Sequence, residues 1–408
     1  MLLARRCGRA RAMDRSMRRF LTGIAAGCTL GYTAVRAYDA LLDLECPALP
    51  AEKDARAYGR ERRRLMLAGM ARALATTGWA AFALAPAASG SADDAERRSR
   101  RMGLLAVALV AGSVLDLPVD YVEDHVLERR YSLSKQEGDA WLAERRKALL
   151  VTAAVMLPLA ELFVAVVRRA PKRWPLVVTL GSAPLLILAN LIAPTFIMPL
   201  FNTFEPLGGA LEDRLRALAT RYGVGDAAIL RVDMSRQTEK ANAYVTGLFG
   251  THRIVVGDTL LANFTDDEIE FVVAHELGHY VHRDVWRSVA LGTAASAVTT
   301  VAARAMARRS SDDASETSVA ALLRLYFFAT VCGIVLGPLL AAASRSREWA
   351  ADRFALAATD APRWGVAAFR RLRDRNLSED EQPRWMELLF SSHPSLRARI
   401  AALEAATL

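Results

Sequence analysis

No charged residue falls within residues 177–201, and none within 325–344. Some twenty apolar residues coiled as a helix match the ~30 Å hydrocarbon core of a bilayer. In that core every backbone N–H and C=O must be satisfied internally, which a helix achieves by itself. These two runs therefore predict a helical membrane protein. Weaker apolar segments at 20–35, 65–84, 104–119, 148–167 and 288–303 raise the expected number of spans to about seven. Several are interrupted: Arg36 follows the first, Arg72 sits in the second, Asp116 in the third, and Pro158 with Glu161 in the fourth. Charges at membrane depth normally face a bundle interior or a water-filled cavity, so the pattern predicts an enclosed chamber. The other accounts of these runs are a cleaved signal peptide over 20–42, or a soluble secreted enzyme with apolar core helices. The first lacks a small-residue cleavage site, and the second must bury all of 177–201 inside a globule.

A hydrophobic content of 53% over 408 residues agrees with a membrane protein. The net charge of +9 does not imply nucleic acid, because the arginines gather at the ends of apolar segments: Arg18 and Arg19, Arg62 to Arg64, Arg97 to Arg101, Arg168, Arg169 and Arg173. That is membrane flanking, and no aromatic-basic module accompanies it. Cys7, Cys28, Cys46 and Cys332 lack paired spacing and imply neither a disulfide framework nor a cysteine metal site. Low-complexity linkers are expected at 85–94 and 308–317.

His275-Glu276-Leu277-Gly278-His279 carries the chemistry. On a helix, residues i and i+4 share a face, so both imidazoles reach one ion, most simply zinc. Residues 264–284 supply the helix: Thr265 and Glu268 form a capping box, and Ile269, Val272, Val273 and Leu277 form an apolar stripe. A catalytic zinc keeps three protein ligands and an open position for water, whose pKa it lowers to about 7. Glu276 would be the base that takes the proton and later hands it to the leaving amine. Two histidines are one ligand short. Glu348 and Asp352, again i and i+4, follow directly on the apolar run 325–344; one carboxylate can bind the metal while the other accepts the spare N–H of a ligating histidine. His282 lies about 60° off the ligand face and stays outside the site.

Taken together, these residues resemble the zinc-dependent CAAX prenyl endoproteases of the Ste type, with their bacterial relatives of the HtpX heat-shock protease kind. DMSRQTEKANAYVTGLFGTHRIVVGDTLL (233–261) is similar to the family's segment before the zinc helix, and APTFIMPLFNTFEP (193–206) to its entry into the catalytic domain. Glu348 to Asp352 matches the third-ligand motif, and Ser392-His393-Pro394-Ser395 the late histidine motif. LDLPVDYVEDHVLERRYSLSKQ with WLAERRK, within 115–147, resembles the loop of the prenyl protease branch. The likeness spans 104–405. It implies that His275, His279 and Glu348 bind one zinc per chain, that Glu276 is the base, and that Asp352 orients a ligating histidine. It further implies that Asn242 holds the substrate backbone at an edge strand and that His393 stabilises the oxyanion.

The expected architecture is mostly α: a polytopic membrane helical bundle of about seven spans with a gluzincin-like zinc metallopeptidase domain carrying a small β-hairpin, 242–248 with 253–256. An amphipathic helix over 208–222 leads in. The expected parts are a membrane region 1–200, a first peptidase segment 201–287, two further spans in 288–344 and a second peptidase segment 345–408. The expected function is a membrane-embedded zinc metalloendopeptidase acting on peptides or membrane proteins, CAAX prenyl protease-like or engaged in membrane protein quality control. Its expected location is the plasma membrane, with the lipid bilayer as partner and no nucleic acid. A non-catalytic zinc-binding scaffold or transporter-like protein is the alternative; it would not need Glu276. Orientation divides the two lines of reading. Seven arginines before Phe20 predict a cytoplasmic N-terminus and hence an external zinc domain, whereas the resemblance implies a cytoplasmic catalytic side.

Overall fold

The computed structural model describes residues 54–84, 94–309 and 319–406. The N-terminal arginines, the segment 20–35, Cys7, Cys28 and Cys46 lie outside them, as does nearly all of both linkers. Helix α1 (Ala55–Trp79) is capped by the Asp54 carboxylate, which accepts the N–H groups of Arg56 and Ala57, and is prolonged by a wider turn at Ala80–Leu84. Helix α2 (Asp94–Tyr121) runs through Val122–Val126 into α3 (Leu127–Arg130); α4 (Gly138–Arg169) and α5 (Trp174–Ile192) follow. Next come β1 (Phe204–Pro206), α6 (Gly209–Arg221), β2 (Ala228–Val232), β3 (Ala243–Thr246), β4 (Arg253–Gly257), α7 (Asp258–Asn263) and α8 (Asp266–Val281). The chain ends with α9 (Asp284–Arg309), α10 (Val319–Thr359), α11 (Pro362–Asn376), α12 (Arg384–Leu389) and α13 (Leu396–Ala405).

Among the described residues five helices, not about seven, are long and apolar enough to cross a membrane: Met102–Arg130, Gly138–Arg169, Trp174–Leu200, Asp284–Arg309 and Ala321–Thr359. Residues 65–84 are helical, running from α1 through the wider turn that prolongs it, but Gly69, Arg72, Thr76, Thr77 and Gly78 dilute their apolar content. Arg72 pairs with Asp116 on α2, so the charges that interrupt two of the expected segments neutralise one another. Leu150, Leu180, Phe196, Val335 and Leu339 are each at least 63% exposed, a surface suited to hydrocarbon rather than water.

The expected hairpin forms: β3 pairs antiparallel with β4, Ala243 opposite Val256 and Thr246 opposite Arg253. It belongs to a larger four-stranded sheet of order β1-β2-β4-β3, with β2 parallel to β4 and β1 antiparallel to β2. Only three residues long and ending in Pro206, β1 is too short to show an alternating pattern. Edge strand β3 lies against α8. The amphipathic helix is α6, whose Leu215 and Leu218 are buried against Ile229, Ile254 and Phe271 in one apolar core shared by the sheet, α8, α11 and α13. Burial of each such side chain contributes about 1.5–3 kcal/mol, which holds α8 rigidly beneath its metal-facing side.

Candidate metal and catalytic site

Thr265 starts α8 as the sequence predicts. Its hydroxyl accepts the Glu268 N–H at 3.3 Å, and the Glu268 carboxylate accepts the Thr265 N–H at 2.8 Å. About two and a half turns into the helix, His275 and His279 project to the same side, ring centroids 5.0 Å apart. Helix α10 is a single 41-residue element that leaves the apolar segment and continues past α8, bringing Glu348 between the two rings. Its Oε2 lies 3.3 Å from His275 Nε2 and its Oε1 3.5 Å from His279 Nε2.

The close crossing depends on Gly278: a Cβ there would meet the Cα of Ala351 at 3.1 Å and Phe354 at 3.2 Å. Gly278→Ala is therefore expected to push α10 away from α8, lowering stability by about 1–3 kcal/mol and weakening metal retention. Thermal unfolding together with bound-metal content checks this.

The donor set fits a metal ion. Donor atoms of His275, His279 and Glu348 lie within 4.8 Å of one another, and a tetrahedral site with bonds of about 2 Å needs ligands about 3.3 Å apart. Glu348 Oε2 is buried, and its nearest partners in the metal-free fold are His275 Nε2 at 3.3 Å and Arg399 Nη2 at 3.7 Å, so once the His275 proton leaves, a cation is what would satisfy it. The outer nitrogens are already occupied: His275 Nδ1 is 2.8 Å from Asp352 Oδ1, and His279 Nδ1 is 2.8 Å from Asp284 Oδ2. Each carboxylate fixes a tautomer that leaves Nε2 to bind the ion.

His275 titrates at about 9. Burial alone would lower it from 6.5, but hydrogen bonds to Asp352 and Glu348 favour the imidazolium and prevail. The metal-free fold thus holds this proton at neutral pH and must release it on taking up metal. From this group, apparent metal affinity rises about tenfold per pH unit and levels off above about pH 9. Stability that the imidazolium gives the metal-free protein is complete below about pH 6.5 and lost as pH rises through about 9. Titrating the metal-free protein with zinc in weak buffer at pH 8 should release protons.

The remaining predicted residues converge on the same place. A cavity of roughly 360 Å³ is lined by Asn242, His275, Glu276, Glu348 and His393, among others. Burial pushes the Glu276 carboxyl above the usual range, against the pull of His275 and His279. His393 Nε2 is 3.4 Å from Glu348 Oε1, and its Nδ1 is 2.8 Å from the Ser392 hydroxyl. Asn242 immediately precedes β3 and is exposed to the cavity. His282 caps the end of α8 with its ring against Phe354 and is not among the clustered donors.

Sequence reasoning missed two residues. Asp284 reaches His279 because Arg283 adopts φ 58° and turns the chain sharply between α8 and α9. Arg399, on α13, is buried and grips Asp352 with two hydrogen bonds of 2.6 and 2.8 Å; its Nη2 also lies 3.7 Å from Glu348 and 3.4 Å from His275 Nδ1. In RARIAAL it looks like any surface arginine of an amphipathic helix. Its position four residues after Ser395 is the only sequence cue.

A multi-pass helical membrane scaffold in which two histidines and a glutamate are placed to hold a metal ion, beside a half-buried glutamate, has the make-up of an integral membrane metalloendopeptidase. Family models agree along nearly the whole described chain: "CAAX prenyl protease N-terminal, five membrane helices" matches residues 50–203, and "Peptidase family M48" matches 208–407. The chain belongs to peptidase family M48. It is similar to an uncharacterized metalloprotease of Bacillus subtilis, 27% identical over 74% of this chain and 73% of that one. CAAX prenyl protease 1 of Saccharomyces cerevisiae is 36% identical over 41% of this chain and 38% of the yeast protein. The crystal structure of S. mikatae Ste24p superposes with a TM-score of 0.72 at 24% identity, covering 94% of this chain and 96% of that one, a likeness of fold.

Proposed function

We propose that the metal is one zinc ion per chain, held by His275, His279 and Glu348, and that the enzyme cuts peptide segments of membrane-anchored proteins, prenylated C-terminal segments among them, at the plasma membrane. The observation that carries this reading is the Glu348 carboxylate set between two Nε2 atoms whose rings are locked from behind by Asp352 and Asp284. Held by these three residues, a zinc ion would supply a Lewis acid for the scissile carbonyl and would lower the pKa of water to about 7. The chain's own residues do the rest. Glu276 takes the proton from the attacking water and returns it to the leaving amine, a task suited to a carboxyl whose proton affinity is raised by burial. The His393 ring, on the rim of the cavity, donates toward the charge developing on the carbonyl oxygen. Edge strand β3 and Asn242 hold the peptide extended.

The preference for prenylated substrates rests on the relatives named CAAX prenyl proteases. Detergent-purified protein should cleave internally quenched peptides, lose that activity to a chelator and regain it with zinc. A farnesylated C-terminal peptide should be cut faster than its unmodified twin. Equal cutting of both, together with degradation of misfolded membrane proteins, would favour quality control instead; cleavage that survives complete metal removal would overturn the zinc mechanism.

A further inference from the structure

One end of the edge strand is already occupied by a side chain. Asn376, the last residue of α11, accepts the Ala241 N–H through Oδ1 at 2.8 Å and donates from Nδ2 to the Ala241 carbonyl at 3.1 Å. Paired donation to and acceptance from one backbone residue is what a neighbouring strand provides in an antiparallel ladder. The register places Tyr244 opposite Val255 and Thr246 opposite Arg253, and the Gly257 N–H reaches the Asn242 carbonyl at 2.9 Å. Residues 242, 244 and 246 therefore bond inward to β4. Alternation turns the N–H and C=O groups of 241, 243 and 245 outward, to the side where β3 has no strand neighbour. Asn376 fills the outward position at Ala241, two residues and about 6.6 Å from the next one at Ala243.

Ion pairs brace the chain beside Asn376. The Lys240 ammonium is bonded to Glu128 at 2.7 and 2.8 Å and to the Tyr58 hydroxyl at 2.9 Å. Glu379 is bonded by Arg63, one contact at 3.3 Å, which ties α1 to a residue that lines the cavity. Asn376 and Glu379 line the same cavity as His275, Glu276 and Glu348.

We infer that Asn376 is a stop: it ends the backbone pairing that β3 offers a substrate strand, so the enzyme cuts only a short distance from one end of its peptide. This specificity role rests on the proposed peptidase reading, in which the substrate lies along β3. A purely structural role, tying α11 to β3, would alter stability but not length preference.

The test uses the full-length, zinc-loaded protein in detergent and a peptide that wild type cleaves, lengthened stepwise at either end, with products identified by mass spectrometry. Extension at one end should leave kcat/KM nearly unchanged. Extension at the other should lower it by at least about tenfold, the equivalent of one or two backbone hydrogen bonds forgone. Asn376→Ala should relax this discrimination toward unity and add cuts farther from that end. Asn376→Asp, which keeps the acceptor and loses the donor, should fall between. Zinc content and melting temperature separate loss of fold from loss of the stop, and if Asn376→Ala does not fold, Asn376→Asp and wild type decide. Wild type that tolerates long extensions at both ends, or folded variants with unchanged discrimination, would overturn the inference while leaving the peptidase intact. Zinc-loaded wild type that cleaves no peptide would remove the reading beneath it as well.

Discussion

Glu276→Gln is expected to keep its metal and lose peptide cleavage by about 10²- to 10⁴-fold. The substitution preserves shape and volume, so α8, its cap and the two histidines remain in place. Glu276 is not among the clustered metal donors His275, His279 and Glu348, so bound zinc should stay at the wild-type level. What disappears is a carboxylate that can accept a proton in a site where burial raises its affinity for one. Steady-state cleavage of a quenched peptide, measured beside metal content on the same preparation, checks both halves. Residual activity within tenfold of wild type would assign the base elsewhere; loss of metal would show that Glu276 supports the site in another way.

Replacing Arg399 should be the most damaging change away from the metal ligands. Its guanidinium is buried, stacked 4.2 Å over Phe369, and bonded twice to Asp352. In Arg399→Met, Asp352 keeps only His275 as a partner inside the protein. Breaking one side of a buried ion pair costs about 3–5 kcal/mol, because the remaining charge is left uncompensated. The strain passes to His275, whose ring Asp352 orients, so metal affinity should fall about 10- to 100-fold as well. Arg399→Lys should not restore either property, since an ammonium cannot make the two-pronged contact. Thermal unfolding and zinc competition titration report the two effects; an unchanged melting temperature with wild-type affinity would contradict the role given to Asp352 and Arg399.

Local signals in the sequence carried most of the site. The capping box at Thr265 and the i,i+4 histidines are properties of one helix, and periodicity alone placed them. Glu348 and Asp352 were likewise legible as a pair on one face following an apolar run. Asp284, Arg399 and Asn376 were not, for a shared reason: their partners are fixed by tertiary packing. Asp284 depends on a left-handed residue at 283, Arg399 on α13 folding back over α10, and Asn376 on α11 docking at the edge of β3. Nothing in the neighbouring residues announces such contacts. The sheet was half visible for a similar reason. Turn glycines marked the β3–β4 hairpin, while β2 joins β4 in parallel across an intervening stretch of chain, and β1 is too short to alternate. Of the seven expected segments, 65–84 falls below what length and composition alone mark as a span, because Arg72 and its glycines dilute it, and 20–35 lies outside the described residues.

Diffraction from crystals of the zinc-loaded protein on either side of the zinc absorption edge tests the central claim most directly. The account predicts one anomalous peak per chain, at about 2.0–2.2 Å from His275 Nε2, His279 Nε2 and a Glu348 carboxylate oxygen, in protein that cleaves peptide. A catalytically active crystal form with zinc bound elsewhere, or with none at these three residues, would contradict it.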